Sequence, residues 1–375
     1  MSWRVVSADR FLDSAALWDE LNAAAGGPPF LRAAFISRAL DLFGTGEEVV
    51  AIHSDDVGVD AITILQKGHS GTWHTFQPSQ LPLGAWLMAP GRTHAALAAE
   101  LFEYLPGFPL LIGITQQDPH MSARPAEGGL VETLSHQTIG WIPIDGDFET
   151  YWNQRGRHLR QNLRTQYSRL EKAGISRKLH VLSHAKEMGP AIARYARLES
   201  AGWKGAEGTA LGLDEVQARF YCAVLEDYCA MQSGTVFELR FGERTVAMDL
   251  CIESDGVIVL LKTTYDETVM GYSPSSILKA LAYERLFARA DVHRCEFFGP
   301  FMWWTSRWTQ CARVLYHVNV FRWSRLRALR QRVRSASYGP PAHSGLATAS
   351  ASPESPIHCT SRSGGLGASG GLPFL

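Results

Sequence analysis

A chain of 375 residues with 46% hydrophobic content is long enough for two or three domains and apolar enough to bury a sizeable core. No run approaches the roughly 18 uninterrupted apolar residues of a membrane helix, and the opening MSWRVVSADRF lacks the basic and apolar regions of a signal peptide, so the expected location is the cytoplasm. The formal charge is −1, yet residues 1–145 carry −9 and the remainder +8, which directs the search for an anionic ligand to the second part.

The first strand is expected at WRVVSA, followed by a helix at SAALWDELNAAAG that Gly26, Gly27 and two prolines bring to an end. AAFISRALDLFG reads as a second helix. EEVVAIHS, GVDAITILQKG and TWHTFQP are β-branched or aromatic runs separated by Asp, Gly or Ser, the pattern of a meander. A helix at HAALAAELFEYL and a strand at FPLLIGIT complete an α/β unit. After the Pro-, Glu- and Gly-rich DPHMSARPAEGG and a strand at TIGWIPI, the order of elements repeats. Helices are expected at 149–173, about 189–201 and 215–231, then strands at TVFELRF, RTVAMDLCIE and GVIVLLKTTY. The helix within GYSPSSILKALAYERLFARA and strands at HRCEFFG and ARVLYHVNVF close the second unit. Two similar α/β halves in tandem, 1–145 and 146–334, are the simplest reading. From about residue 335 the sequence is too poor in large apolar residues to fold, so 335–375 reads as a disordered low-complexity tail. Cys222, Cys229, Cys251, Cys295, Cys311 and Cys359 are scattered without a CxxC pair, which encodes neither a disulfide framework nor a zinc site.

Four stretches share an order and spacing with a known group of enzymes. They are RGRHLRQNLRTQYSRLEKAG, YARLESAGWKGAEGTAL, the run from LRFGERTVAMDLC to GYSPSSILKALAYERLFARA, and EFFGPFMWWTSRWT, together spanning roughly 155 to 309. The chain resembles the GNAT acyltransferase superfamily, and specifically its CelD-like acetyltransferases, themselves similar to the Fem aminoacyl ligases with two fused GNAT folds. Residues 1–145 match only as a degenerate first half. The resemblance implies tandem GNAT-like domains with mixed central sheets flanked by helices, an acetyl-CoA or other acyl-CoA donor, and no metal. One departure stands at WWTSRW, where Thr305 occupies the place of a lysine in an aromatic-Lys-x-x-Trp pattern. In Fem-like relatives that lysine is tied to a phosphate-bearing substrate, so its absence disfavours aminoacyl-tRNA transfer.

A GNAT fold binds the coenzyme A pyrophosphate where its central strand hands over to a helix, with unpaired N–H groups of the first turn and the helix dipole facing the phosphates. On that reading Gly271 lets the backbone turn sharply, Pro274 sets φ without wasting a donor, and Ser273, Ser275, Ser276 and Ile277 surround the phosphates with Asp266 just upstream. A plain turn and N-cap explains the same residues structurally. In LRQNLRTQYSRL, Leu159, Leu163, Tyr167 and Leu170 fall on one stripe, with Arg157, Arg160 and Arg164 on the adjoining face. Those arginines read either as a solvated face or as a surface for coenzyme A phosphate or an anionic acceptor. DNA is not expected and tRNA is disfavoured, because aromatic residues do not interleave with the arginines. The resemblance puts Trp203 and Lys204 in a loop near the acceptor, where core packing and a solubilising charge are equally good accounts. Lys262, Tyr265 and Asp266 end the strand before the phosphate loop. Asp249, flanked by apolar residues in VAMDLCI, is a candidate to accept an amine proton if buried, and a salt bridge to Lys262 explains it as well. Tyr316 or Tyr265 would protonate the leaving thiolate.

Other chemistries match poorly. Ser276 and Lys279 fit an S-x-x-K pattern, but no S-D-N or K-T-G follows. His180 and His184 are four apart in an extended-looking segment without an adjacent carboxylate, a poor zinc site. The sequence therefore reads as an acyl-CoA-dependent N-acyltransferase acting on a small-molecule or glycan amine, with a link to cell-surface polysaccharide biosynthesis. A Fem-like ligase and a non-catalytic GNAT-fold binding protein are the alternatives.

Overall fold

The computed structural model describes residues 2–201 and 215–337. The first run of elements is β1 (Ser2–Ser7), α1 (Ala15–Ala24), α2 (Ala33–Phe43), β2 (Val49–Ser54), β3 (Val59–Lys67), β4 (Thr72–Thr75), the short β5 (Trp86–Met88), α3 (His94–Leu101), β6 (Leu111–Gln117) and β7 (Val131–Pro143). The second comprises α4 (Phe148–Asn153), α5 (Arg157–Lys172), β8 (Arg177–Leu182), α6 (Ala185–Ala201), α7 (Val216–Ala230), β9 (Gly234–Phe241), β10 (Arg244–Ser254), β11 (Val257–Tyr265), α8 (Pro274–Phe287), β12 (Arg294–Phe297), α9 (Trp303–Ser306), β13 (Ala312–Phe321) and α10 (Ser324–Ser337).

Side-chain caps start two of the helices. The Thr93 hydroxyl accepts from Ala96 N at 3.3 Å to start α3, and the Asp147 carboxylate accepts from Thr150 N at 2.8 Å to start α4. The single helix expected over 149–173 is two helices, because the chain breaks at Gln154–Gly156 and restarts with Gly156 as the N-cap of α5. β7 starts well before TIGWIPI, and α10 has no counterpart among the sequence expectations. Residues 338–375, which hold most of the expected tail, lie outside the described residues.

The strands form one mixed sheet in the order β1-β2-β3-β4-β6-β13-β7-β12-β11-β10-β9-β8, with β5 paired to β3. All neighbours are antiparallel except β4 with β6 and β11 with β12. Those two parallel pairs occupy equivalent places in the repeat, and each needs a helical crossover, α3 in the first and α8 in the second. The two expected central sheets are thus joined edge to edge. They are also interlocked: the last strand, β13, pairs with β6, while β7 pairs with β12.

The cores follow the same division. On one face a single core joins Trp18, Phe30, Phe35 and Ile62 to Tyr195, Phe220, Tyr228, Leu250 and Phe298, so α1 and α2 pack with α6 and α7. Arg38 on α2 adds a forked pair to Asp227 on α7, at 2.7 and 3.0 Å. On the other face, α4, α5 and α8 cover one core with Leu159, Ile277 and Phe297, and α3 covers another with Leu97, Ile114 and Tyr316. Where the halves meet, Arg313 of β13 is buried between two acids. Its Nε and Nη2 donate to Asp118 at 2.7 and 2.6 Å, and its Nη1 donates to Glu296 at 2.9 Å. Burial pushes the Glu296 carboxyl above its ordinary range, and Arg313 pulls in the opposite direction.

Replacing Arg313 with Met strands two buried acids. The expected loss is about 3–5 kcal/mol of stability, read from urea unfolding; a loss under about 1 kcal/mol would show that the trio does not hold the halves together.

Candidate functional site

β11 is the centre of the candidate site. It pairs with β12 only from Val257 to Leu260, after which the β12 chain leaves at Phe297 and turns through Gly299 and Pro300. Opposite, β11 carries one extra residue against β10, since Leu250 faces Lys262 and Cys251 faces Leu260, so Leu261 is bulged. Such a bulge bends the strand and increases its twist. From Leu261 onward the β11 edge is therefore not covered by β12.

Two hollows meet at this parting. The larger, about 440 Å³, lies between β11 and the 77–82 loop of the first half, with Gln77, Gln80, Gln116, His136, Gln137 and Tyr221 on its walls. The smaller, about 100 Å³, lies beside Leu260–Thr263 and is closed by Phe297, Trp304 and Thr305. Leu260, Leu261 and Gly299 line both. Thr305 is buried, and its hydroxyl has no hydrogen-bond partner among the described residues.

The far end of β11 leads through a short 3₁₀ helix, 267–272, to the N-terminus of α8. Pro274 is the first helical residue, as its fixed φ and missing donor favour. The sharp turn is made by Ser273, at φ 53°, and not by Gly271, which stays outside the left-handed region. Ile277 is buried and its N–H donates to Ser273 O at 3.1 Å, which removes it from the expected phosphate cradle. The amides of Ser275 and Ser276, both half-buried, precede that bond and have no acceptor among the described residues. Asp266 is also reassigned. It caps the 3₁₀ helix, accepting from Thr268 N at 3.0 Å, and pairs with Arg244, so its charge is already committed.

α5 meets this turn with a different face from the one expected. Asn162 donates to the Ser273 hydroxyl at 3.2 Å, and Arg169 donates to Gly271 O at 2.9 Å while lying over the Tyr272 ring. Arg157 and Arg164 are exposed, and Arg160 is half-buried with its Nε donating to Arg155 O. The buried stripe is Leu159, Leu163, Gln166 and Leu170; Tyr167 is only half-buried, under the Arg177 guanidinium.

The expected catalytic residues separate into three groups. Asp249 is buried, but its partner is Lys279, at 3.1 Å, with the Thr263 hydroxyl donating at 2.6 Å, and not Lys262. That pair joins β10, β11 and α8 and leaves Asp249 no open side for an amine. It also removes Lys279, which is 2% exposed, as a base for Ser276. Lys262 pairs instead with Glu199 of α6 at 3.3 Å, over the Tyr221 ring, and the Tyr195 hydroxyl donates to the same carboxylate at 3.2 Å. Tyr265 is half-buried at the end of β11. Tyr316 belongs to the α3 core. Its hydroxyl donates to Ser122 O at 2.5 Å, its pKa is pushed up to about 12 by burial, and it lines neither hollow. Trp203 and Lys204 lie outside the described residues.

Sequence reading missed Glu199, the wall residues Gln116 and His136, and His317 behind them. The Glu199 signal was present, an acid in helical register with the buried Met188, Ile192 and Tyr195, but its partner is 63 residues away. Gln116 takes φ 39° and its N–H donates to His317 Nδ1 at 3.0 Å; the His317 ring stands 4.7 Å from that of His136. Burial, with His136 adding to it, pushes the His317 pKa down to about 4, so its Nδ1 remains an acceptor near neutrality.

A family model described as an acetyltransferase (GNAT) domain matches residues 157–302. No curated protein matches the chain. Among solved structures, FemX is similar in fold at 8% identity and a TM-score of 0.56, over 89% of this chain and 100% of FemX. A conserved protein of unknown function from Bacteroides thetaiotaomicron gives 8% identity and a TM-score of 0.51, over 85% and 99% of the two chains. A tandem GNAT protein from the clavulanic acid biosynthesis pathway is more loosely similar, with 12% identity and a TM-score of 0.43 over 84% and 97%. The matched domain contains β11, its bulge and the N-terminus of α8.

Two outcomes follow from this geometry. Ser273→Gly should be neutral or stabilise by up to about 1 kcal/mol in urea unfolding, because a non-glycine residue in the left-handed region costs about 1–2 kcal/mol, while Gly271→Ala, which meets nothing within 4 Å, should change stability by less than about 0.5 kcal/mol. The unfolded chain protonates His317 near pH 6.5 and the folded chain only near 4, so its contribution is complete above 6.5 and lost as pH falls toward 4. His317→Gln should make the stability curve shallower over that window, as followed by unfolding at stepped pH.

Proposed function

We propose that the chain is a GNAT-type N-acyltransferase of the CelD-like family, transferring an acetyl or longer acyl group from acyl-CoA to an amine. The proposed halves are 1–145 and 146–334, the second holding the donor and the first contributing the acceptor wall. The observation that carries this reading is the parting of β11 and β12, which opens the edge of β11 to one hollow beside Trp304 and Thr305 and to another walled by the 77–82 loop.

The Ser275 and Ser276 amides, backed by the α8 dipole and by Arg169 on α5, would take the pyrophosphate. Exposed Arg157 and Arg164 extend positive charge along the same helix. The acyl group would lie along β11, whose backbone N–H groups from Leu261 onward would stabilise the oxyanion. The amine nitrogen bonds to the thioester carbonyl carbon and the C–S bond breaks. The amine loses its proton to solvent in the open hollow, and Tyr265, which regains its own proton from solvent, protonates the coenzyme A thiolate. Proximity supplies much of the rate. The carboxamides of Gln77, Gln80, Gln116 and Gln137 suit an uncharged, hydroxyl-bearing amine, such as a glycan amine of cell-surface polysaccharide assembly in the cytoplasm. Thr305 in the place of a lysine disfavours a Fem-type aminoacyl ligase.

Calorimetric titration with coenzyme A should show binding to the intact chain. Ser275→Glu should weaken it about tenfold or more by setting a negative charge against the phosphates, and Ser276→Ala should change it by less than about threefold. Mass spectrometry of an amine panel with acetyl-CoA should show a transferred acetyl group, and Tyr265→Phe should lower its rate about 100-fold while coenzyme A affinity holds. Absence of coenzyme A binding would leave the non-catalytic binding protein as the better reading, and a covalent acyl adduct on Ser276 would overturn the direct-transfer mechanism.

A further inference from the structure

The face formed by α10 and the turn at 102–108 presents apolar side chains that the interior does not use. Phe108 is 61% exposed, Trp323 48% and Leu329 58%. These are not loose ends. The rings of Phe108 and Trp323 lie 5.7 Å apart with the Arg322 guanidinium beneath them, 4.9 Å from the Phe108 centroid. Arg322 is itself anchored, donating to Phe102 O at 3.2 Å and to Glu103 at 2.6 Å. The two aromatic rings are therefore held in place at the surface, and holding them there leaves apolar area in water that a mobile loop would fold away.

The helix beside them is basic throughout. SRLRALRQRVRSAS carries Arg325, Arg327, Arg330, Arg332 and Arg334 and no acid. Leu329 follows Arg325 by four residues and precedes Arg332 by three, so these three share one face of the helix. Arg325 and Arg332 are exposed and form no ion pair among the described residues. An aliphatic side chain flanked by unpaired arginines, on the helix that the fixed Trp323 immediately precedes, is the chemistry of a helix lying in a lipid interface. There the arginines meet phosphate headgroups, aromatic rings sit at headgroup level, and the aliphatic residue reaches the acyl boundary. Nucleic acid would also attract the arginines and stack on Trp323, but it offers nothing to Leu329. No helix among the described residues is long and apolar enough to cross a membrane.

We infer that the face of Phe108, Trp323, Leu329, Arg325 and Arg332 is a docking surface for an anionic phospholipid membrane. The test is sedimentation of the full chain with vesicles of phosphatidylglycerol mixed into phosphatidylcholine, against phosphatidylcholine alone and against single-stranded RNA. Binding should be confined to the acidic vesicles and should weaken about tenfold or more as salt screens the headgroups. Leu329→Ser should weaken it severalfold, the double variant Arg325→Gln with Arg332→Gln about tenfold, and Phe108→Ser with Trp323→Ser by a similar factor. The aromatic variant also disturbs Arg322, so the Leu329 and arginine variants, with unchanged thermal unfolding, decide the matter. No association with acidic vesicles, equal association with neutral ones, insensitivity to these variants, or binding to RNA without binding to vesicles would each overturn the proposal.

Discussion

The parting of β12 from β11 after Leu260 is the constraint on which the rest of this molecule depends. β12 has only four paired residues before Gly299 and Pro300, and the next residue, Phe301, gives its N–H to Thr138 O of β7 instead. The proline has no N–H to donate, so the ladder to β11 does not continue through it. On the other side the Leu261 bulge twists β11 away. A fully paired central sheet would bury this edge; the broken pairing leaves it facing two hollows that share the same three residues.

Keeping a sheet open at its middle requires the surrounding elements to be fixed from several directions. Asp249 and Lys279 tie α8 to β10 under the parting, and Thr263 adds β11 to the same bond set. Glu199 and Lys262 tie α6 to β11 from the opposite face. Arg313, between Asp118 and Glu296, holds β13 to the chain ends of β6 and β12. Each is a charge whose removal would leave its partner buried without compensation, a stronger constraint on position than a source of net stability. The candidate site is thus framed by ion pairs of which one member, Lys262, lines the smaller hollow.

The interlock of β7 and β13 gives the two halves a dependence on each other that a bead-like pair of domains would lack. Neither half closes its own sheet without a strand that the other region of the chain supplies, and Trp18 and Phe30 share a core with Tyr195 and Phe298. The wall of the larger hollow opposite β11, from Gln77 to Gln137, is accordingly held in register with the strand that it faces.

Most of the strands and helices were legible from the sequence, because period-two and period-3.6 patterns and turn residues act over neighbours in the chain. The helix that starts within GYSPSSIL, the repeat of element order and the interior character of β10 all follow from such local signals. What the sequence did not decide was pairing. It offered Lys262 for Asp249, whereas α8 brings Lys279 to it; it gave the sharp turn to Gly271, whereas packing against Asn162 and Arg169 of α5 puts Ser273 in the left-handed region. It placed Tyr316 at the reaction centre, whereas the insertion of β13 beside β6 carries that hydroxyl to Ser122. Glu199, Gln116 and His317 became visible only when residues 63 and 201 positions apart were brought together. Local patterns determine which segments are strands and helices, but the partner of a buried charge is chosen by which surfaces meet, and that choice exists only in the folded chain.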